Sequence, residues 1–137
     1  MNRILRLIHV ALAWIFVAAI LYQVYLAGSS IANLGGSGDF ATHIEFGYTA
    51  IGIASLATLL SALAARLGRT QGLLALLALV DYIVQTILPS FKADSPAIAA
   101  LHPVNALVLF GLALVIARRA TAAYRAGSPA AGAVPMA

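Results

Sequence analysis

Four long apolar runs, separated by short polar breaks, organise the sequence. They cover roughly residues 4–27, 43–65, 73–88 and 97–117. Each has about the length needed to cross a hydrocarbon core of ~30 Å at a rise of ~1.5 Å per residue. Lipid requires the backbone to satisfy its own hydrogen bonds, so runs this long and this rich in Ala and Leu predict helices. The breaks are a Gly/Ser-rich stretch at 28–39, a tight turn at 66–70 and a loop at 89–95. Connections this short join neighbouring antiparallel helices. The pattern predicts an all-α, transmembrane, up-down four-helix bundle over residues 1–120. Residues 121–137, rich in Ala, Gly and Pro, are expected to form a flexible tail.

Composition agrees with the pattern. The 137 residues are 63% hydrophobic and 9% charged, against about 45–50% and about 25% in a soluble domain. There is no cysteine, which excludes disulfides, thiolate metal sites and covalent c-type haem attachment. The net charge of +4 does not form the basic stripe that nucleic acid needs; it sets topology instead. Arg3, Arg6, Arg66, Arg69, Arg118, Arg119 and Arg125 fall on one side of a four-span arrangement, and only Lys92 falls on the other. That asymmetry places both termini in the cytoplasm, with the bacterial inner membrane as the expected location. Tyr22, Tyr25, Phe40, Phe46, Tyr48 and Phe91 then gather at the outer boundary as an aromatic belt. The first run resembles a signal peptide in outline, but it is long for one and reads as a retained helix.

Polar side chains within spans are expensive and become candidates for function. Here they are His9, Gln23, His43, Glu45, Asp81, Gln85, His102 and Asn105. All three histidines of the protein lie in or at the edge of a span. His43 and His102 begin the second and fourth spans, which run in the same direction, so the two imidazoles share a depth in the outer leaflet. A weak internal repeat accompanies them: Ala41-Thr42-His43 and Ala100-Leu101-His102, each with a small residue four positions on, Gly47 and Ala106. In an up-down bundle these helices are diagonal, about 12–14 Å apart, the span of two imidazoles meeting one iron. Below His43 runs a stripe of small residues, Gly47, Ala50, Ala54, Ala57, Ser61 and Ala64, which offers room for a porphyrin. The propionates would face the outer helix termini and Lys92. The competing reading is plain helix packing, with the histidines hydrated at the headgroup boundary.

The remaining polar residues divide. Thr42 and Glu45 match a capping box, which gives Glu45 a structural role. His9 lies alone in the inner half of the first span and reads as structural. Asp81, mid-span with Gln85 one turn away, is expected to face the bundle in its neutral form. It would serve as a proton relay or a hydrogen bond fixing helix register, with Gln23 and Asn105 in the same outer network.

The segments His43-Ile-Glu-Phe-Gly47-Tyr and Leu101-His102-Pro103-Val104-Asn105-Ala106 resemble those of a family of small uncharacterised bacterial four-helix membrane proteins, over roughly residues 1–120. The architecture is also similar to one four-helix half of haem A synthase and, more loosely, to cytochrome b561-type bundles. That resemblance implies haem ligation by helix-borne histidines, and here it extends to His43 and His102 alone.

The leading expectation is a membrane protein holding one b-type haem between His43 and His102. It would transfer electrons, or act as a small subunit of a redox complex or as a homo-oligomer. The alternatives are a cofactor-free accessory or scaffold subunit of a larger membrane complex, and a small transporter or quinone-binding module centred on Asp81. No motif for hydrolysis or phosphate binding is present, and the chain reads as non-catalytic.

Overall fold

The computed structural model describes residues 3–127, and these are helical nearly throughout. Helix α1 is Arg3–Ser30. The second span joins α2, Ala41–Phe46, through a five-residue π-helical turn, Gly47–Ile51, to α3, Gly52–Ala64. The third span is α4, Arg69–Ile87, continued by a 3-10 turn at Leu88–Lys92. A short α5, Pro96–Ala99, leads into α6, Leu101–Ala126. The four spans are long and apolar enough to cross a membrane. Each packs along its sequence neighbours, and α6 closes the ring against α1, so the second and fourth spans are diagonal.

The bundle is built inside out relative to a soluble one. Its centre is small: Ala13, Ala75, Ala78, Ala113 and Ala117 are fully or almost fully buried, with Phe16 and Ile116 filling the space between them. Leu34, Ile53, Leu107 and Val104 face outward. Small residues let helix backbones approach, and in lipid that van der Waals contact replaces the missing hydrophobic drive between helices.

Boundaries differ from the sequence reading in three places. The last helix runs on to Ala126, so residues 121–126 are helical rather than tail. The segment Ala-Thr-Ala-Ala-Tyr-Arg-Ala has good helix formers in Ala and Arg and continues the helix past the apolar run; the remainder of the expected tail, residues 128–137, lies outside the described residues. The third span begins at Arg69, which brings Gln71 into it. The capping box at Thr42 and Glu45 does not form, because the helix starts earlier. Asp39 Oδ1 accepts the Ala41 N–H at 2.8 Å, and Glu45 is exposed.

The turn between the second and third spans is a Schellman closure. The Leu67 N–H donates to the Ala62 carbonyl at 3.4 Å and the Arg66 N–H to the Leu63 carbonyl at 3.1 Å. Arg66 takes the left-handed position usually given to glycine, with φ 50°.

The two hairpins are internal repeats. Ala13, Phe16 and Gln23 of α1 correspond at constant offset to Ala75, Ala78 and Gln85 of α4. His43, Phe46 and Gly47 correspond to His102, Asn105 and Ala106. Beyond the π turn the correspondence slips by one residue: Ile51 pairs with Leu109, Ser55 with Ala113, Thr58 with Ile116 and Ala62 with Ala120, all buried. A π turn accommodates one extra residue in a helix, and this slip is its signature. The extra residue also rotates everything below it by about 100°. The small stripe under His43 is therefore not one wall. Ala54 joins the core, whereas Ala57, Ser61 and Ala64 border an outer groove beside Leu5, Ile8 and Leu12.

Candidate functional site

The chain contains three histidines and three glutamines, and the fold pairs them one to one. Gln71 Nε2 lies 3.1 Å from His9 Nε2, Gln23 Nε2 lies 3.4 Å from His43 Nε2, and Gln85 Nε2 lies 3.3 Å from His102 Nε2. In every pair the other ring nitrogen, Nδ1, meets an oxygen that accepts.

At the end of the bundle opposite the two termini, labelled the outer end, His43 Nδ1 is 3.2 Å from the Gln23 carbonyl and His102 Nδ1 is 2.9 Å from the Gln85 carbonyl. A carbonyl only accepts, so Nδ1 carries the proton in both rings and Nε2 presents its lone pair. Each histidine thus clasps the preceding span of its own hairpin. Local sequence makes this possible: Gly47 leaves the space that the Gln23 amide fills, since a Cβ there would stand 2.7 Å from Gln23 Nε2. The same amide donates to the His43 carbonyl at 2.9 Å.

Across the diagonal the two imidazoles meet edge to face, with ring centroids 6.3 Å apart and planes at 77°. The structure therefore brings together His43, His102, Gln23 and Gln85. Asn105 joins them, donating to Gln85 Oε1 at 2.9 Å and to the Asp81 carbonyl at 3.3 Å. In this layer the repeat differs beside the glutamines. Phe46 stands where Asn105 stands in the second hairpin, and it packs edge-on against Tyr22, with centroids 5.0 Å apart. Gln23 Oε1 is in consequence buried without a hydrogen-bond partner among the described residues, as is Asp81 Oδ2. Beside this layer the π turn is held by Tyr82, whose hydroxyl donates to the Tyr48 carbonyl at 3.0 Å. Gly52 admits that phenol, because a Cβ there would lie 2.7 Å from its oxygen.

His9 belongs to a second, inner layer. It is fully buried. Its Nδ1 is 2.9 Å from Ser61 Oγ, and Ser61 Oγ donates onward to the Thr58 carbonyl at 3.0 Å. The Gln71 amide also donates to the Ile116 carbonyl at 2.9 Å. This layer ties all four spans and links the other diagonal, first span to third. Gln71 was missed by the sequence reading, which began the third span after it; its signal was its equivalence to His9 in the repeat.

The outer donor set suits a particular kind of guest. Among the described residues no group of three or more His, Cys, Asp or Glu side chains converges on a point, whereas a bare divalent ion generally takes four ligands. A haem iron draws four nitrogens from its macrocycle and needs only two axial ligands from the protein. With metal–nitrogen bonds of about 2.0–2.1 Å, two imidazoles on opposite sides of one ion have centres about 6 Å apart. The centroid separation of 6.3 Å matches that distance, and a proton held on Nδ1 by a backbone carbonyl is how ligating histidines are normally oriented. With the rings edge to face and each Nε2 against a glutamine amide, the rings would have to turn for both Nε2 atoms to face one ion.

The chain matches no protein-family model, and no curated protein or solved structure is similar to it.

Proposed function

We propose that the protein is an electron-transfer or redox-subunit membrane protein that holds one b-type haem through Nε2 of His43 and Nε2 of His102. The observation supporting this reading is the pair itself: two histidines on diagonal spans, each with Nδ1–H committed to a backbone carbonyl, and ring centroids 6.3 Å apart. Such a group supplies reversible one-electron transfer.

The chain's own residues do the rest. The Gln23 and Gln85 carbonyls fix the tautomer and plane of each ring. The Gln23 and Gln85 amides touch the Nε2 lone pairs at 3.4 and 3.3 Å, longer than the usual 2.7–3.2 Å range, so these contacts hold the lone pairs weakly. Asn105 anchors the Gln85 amide by its oxygen. The apolar small-residue core below excludes water, which raises the influence of any charge in the layer. The arginine asymmetry supports an orientation with both termini cytoplasmic, and the bacterial inner membrane is the setting that fits it.

The test is an absorption spectrum of purified protein, expressed with ample haem supply, in oxidised and dithionite-reduced forms. The expected result is a Soret band with a sharp reduced α band. A colourless protein overturns the proposal and favours the cofactor-free accessory reading, in which the glutamine–histidine clasps serve only to join helices.

A further inference from the structure

Two apolar grooves on the surface of the bundle differ in charge. One, of about 340 Å³, lies between the first and second spans and is lined by aliphatic residues and Ser61. The other, of about 560 Å³, lies between α3 and α4 at the arginine-bearing end of the bundle. It is lined by Leu59, Leu63, Leu73 and Leu76 together with Arg66 and Arg69. The Schellman turn sets both arginines at the closed end of this groove, and both are exposed.

The charges of this groove are uncompensated. The acidic residues of the chain are Asp39, Glu45, Asp81 and Asp94. They lie in the outer loops, at the outer end of the second span or in the middle of the third. Among the described residues neither Arg66 nor Arg69 has a carboxylate partner. Two guanidiniums at a membrane boundary, above a trough of leucine side chains, complement a molecule with an anionic phosphate at one end and hydrocarbon at the other. Arg meets phosphate through paired N–H donors, and basic pockets between transmembrane helices recognise anionic headgroups in this way.

We infer that the groove between the second and third spans binds an anionic phospholipid, with its phosphate on Arg66 and Arg69 and an acyl chain along Leu59, Leu63, Leu73 and Leu76. The site is separate from the histidine layer and does not depend on haem.

The test is native mass spectrometry of delipidated protein titrated with phosphatidylglycerol or phosphatidylcholine of identical chains. Phosphatidylglycerol should bind more tightly, by about fivefold for each arginine engaged. The double variant Arg66→Ala/Arg69→Ala should bind the two lipids equally, while Arg118→Ala/Arg119→Ala, at the same end of the bundle, should keep the preference. Inorganic phosphate should not displace the bound lipid, because it lacks the chain. If the arginine variant does not fold, Leu63→Trp provides an independent test by filling the trough and abolishing retention of both lipids. Equal binding by the unaltered protein overturns the inference. So do an equal loss in the Arg118/Arg119 variant, displacement by phosphate alone, and unchanged phosphatidylglycerol retention in Leu63→Trp.

Discussion

The two polar layers of the bundle use the same chemical pair, histidine Nε2 facing a glutamine amide, under different conditions. In the inner layer His9 is fully buried, the contact to Gln71 is 3.1 Å, and both ring nitrogens and the Gln71 amide nitrogen have partners. In the outer layer the contacts are 3.4 and 3.3 Å, the rings are half-exposed, and Gln23 Oε1 and Asp81 Oδ2 are buried without partners among the described residues. A satisfied buried network rigidifies a fold, whereas a buried polar atom left unpaired is costly. The inner layer is thus a lock that joins all four spans, and the outer layer is the one on which the proposed haem ligation rests. The π turn belongs to the same contrast: it occurs in the span that carries His43 and not at the equivalent place in α6.

The largest expected effect comes from breaking the lock. His9→Ala removes a buried ring and leaves one Gln71 amide hydrogen and the acceptor position of the Ser61 oxygen without a partner, which should lower stability by about 2–4 kcal/mol. His43→Ala, at a half-exposed position, should lower it by less than half as much. Reversible unfolding in mixed micelles compares the two, and equal losses would erase the distinction between the layers. Next is Gly52→Ala, whose new methyl pushes the Tyr82 hydroxyl off the Tyr48 carbonyl. Overpacking of this kind costs about 1–3 kcal/mol, and amide exchange should rise over residues 47–53 and not over the equivalent part of α6. A smaller effect is expected for Asn105→Leu. It frees Gln85 Oε1 at about the 0.6 kcal/mol typical of an interhelical hydrogen bond in a membrane, making the second hairpin resemble the first. The smallest belongs to Phe46→Asn, which supplies Gln23 Oε1 with the donor that Asn105 gives Gln85. Its gain in hydrogen bonding is offset by the lost packing on Tyr22, so the melting temperature should stay within a few degrees of the parent's.

Much of this arrangement was legible before any coordinates. Lipid leaves a chain few options, so four long apolar runs specify four helices, and the Ala-x-His repeat put His43 and His102 at one depth on diagonal spans. What escaped depends on contacts between segments distant in sequence. Gln71 follows a Gly-Arg-Thr turn and looks like part of it; only the packing of α4 against α1 turns it inward to His9. The π turn has no signature in its own residues, Gly-Tyr-Thr-Ala-Ile, and it undid the small-residue stripe by rotating Ala57, Ser61 and Ala64 away from His43. The Thr42–Glu45 box was a valid local pattern, displaced because Asp39 reaches the first free amide sooner. Asp81 was placed with Gln85 and Asn105 as the spacing suggested, although the contact Asn105 makes there is with its backbone carbonyl.

The proposed function rests on the outer histidines, and not the inner one, being the ligands. The most direct measurement is the reduced-minus-oxidised spectrum of three variants purified side by side: His43→Ala, His102→Ala and His9→Gln. The account predicts loss of the six-coordinate signature in each of the first two and its retention in the third, at whatever yield the weakened lock allows. An unchanged spectrum in either outer variant, or loss of the signal only in the folded His9→Gln protein, would contradict it.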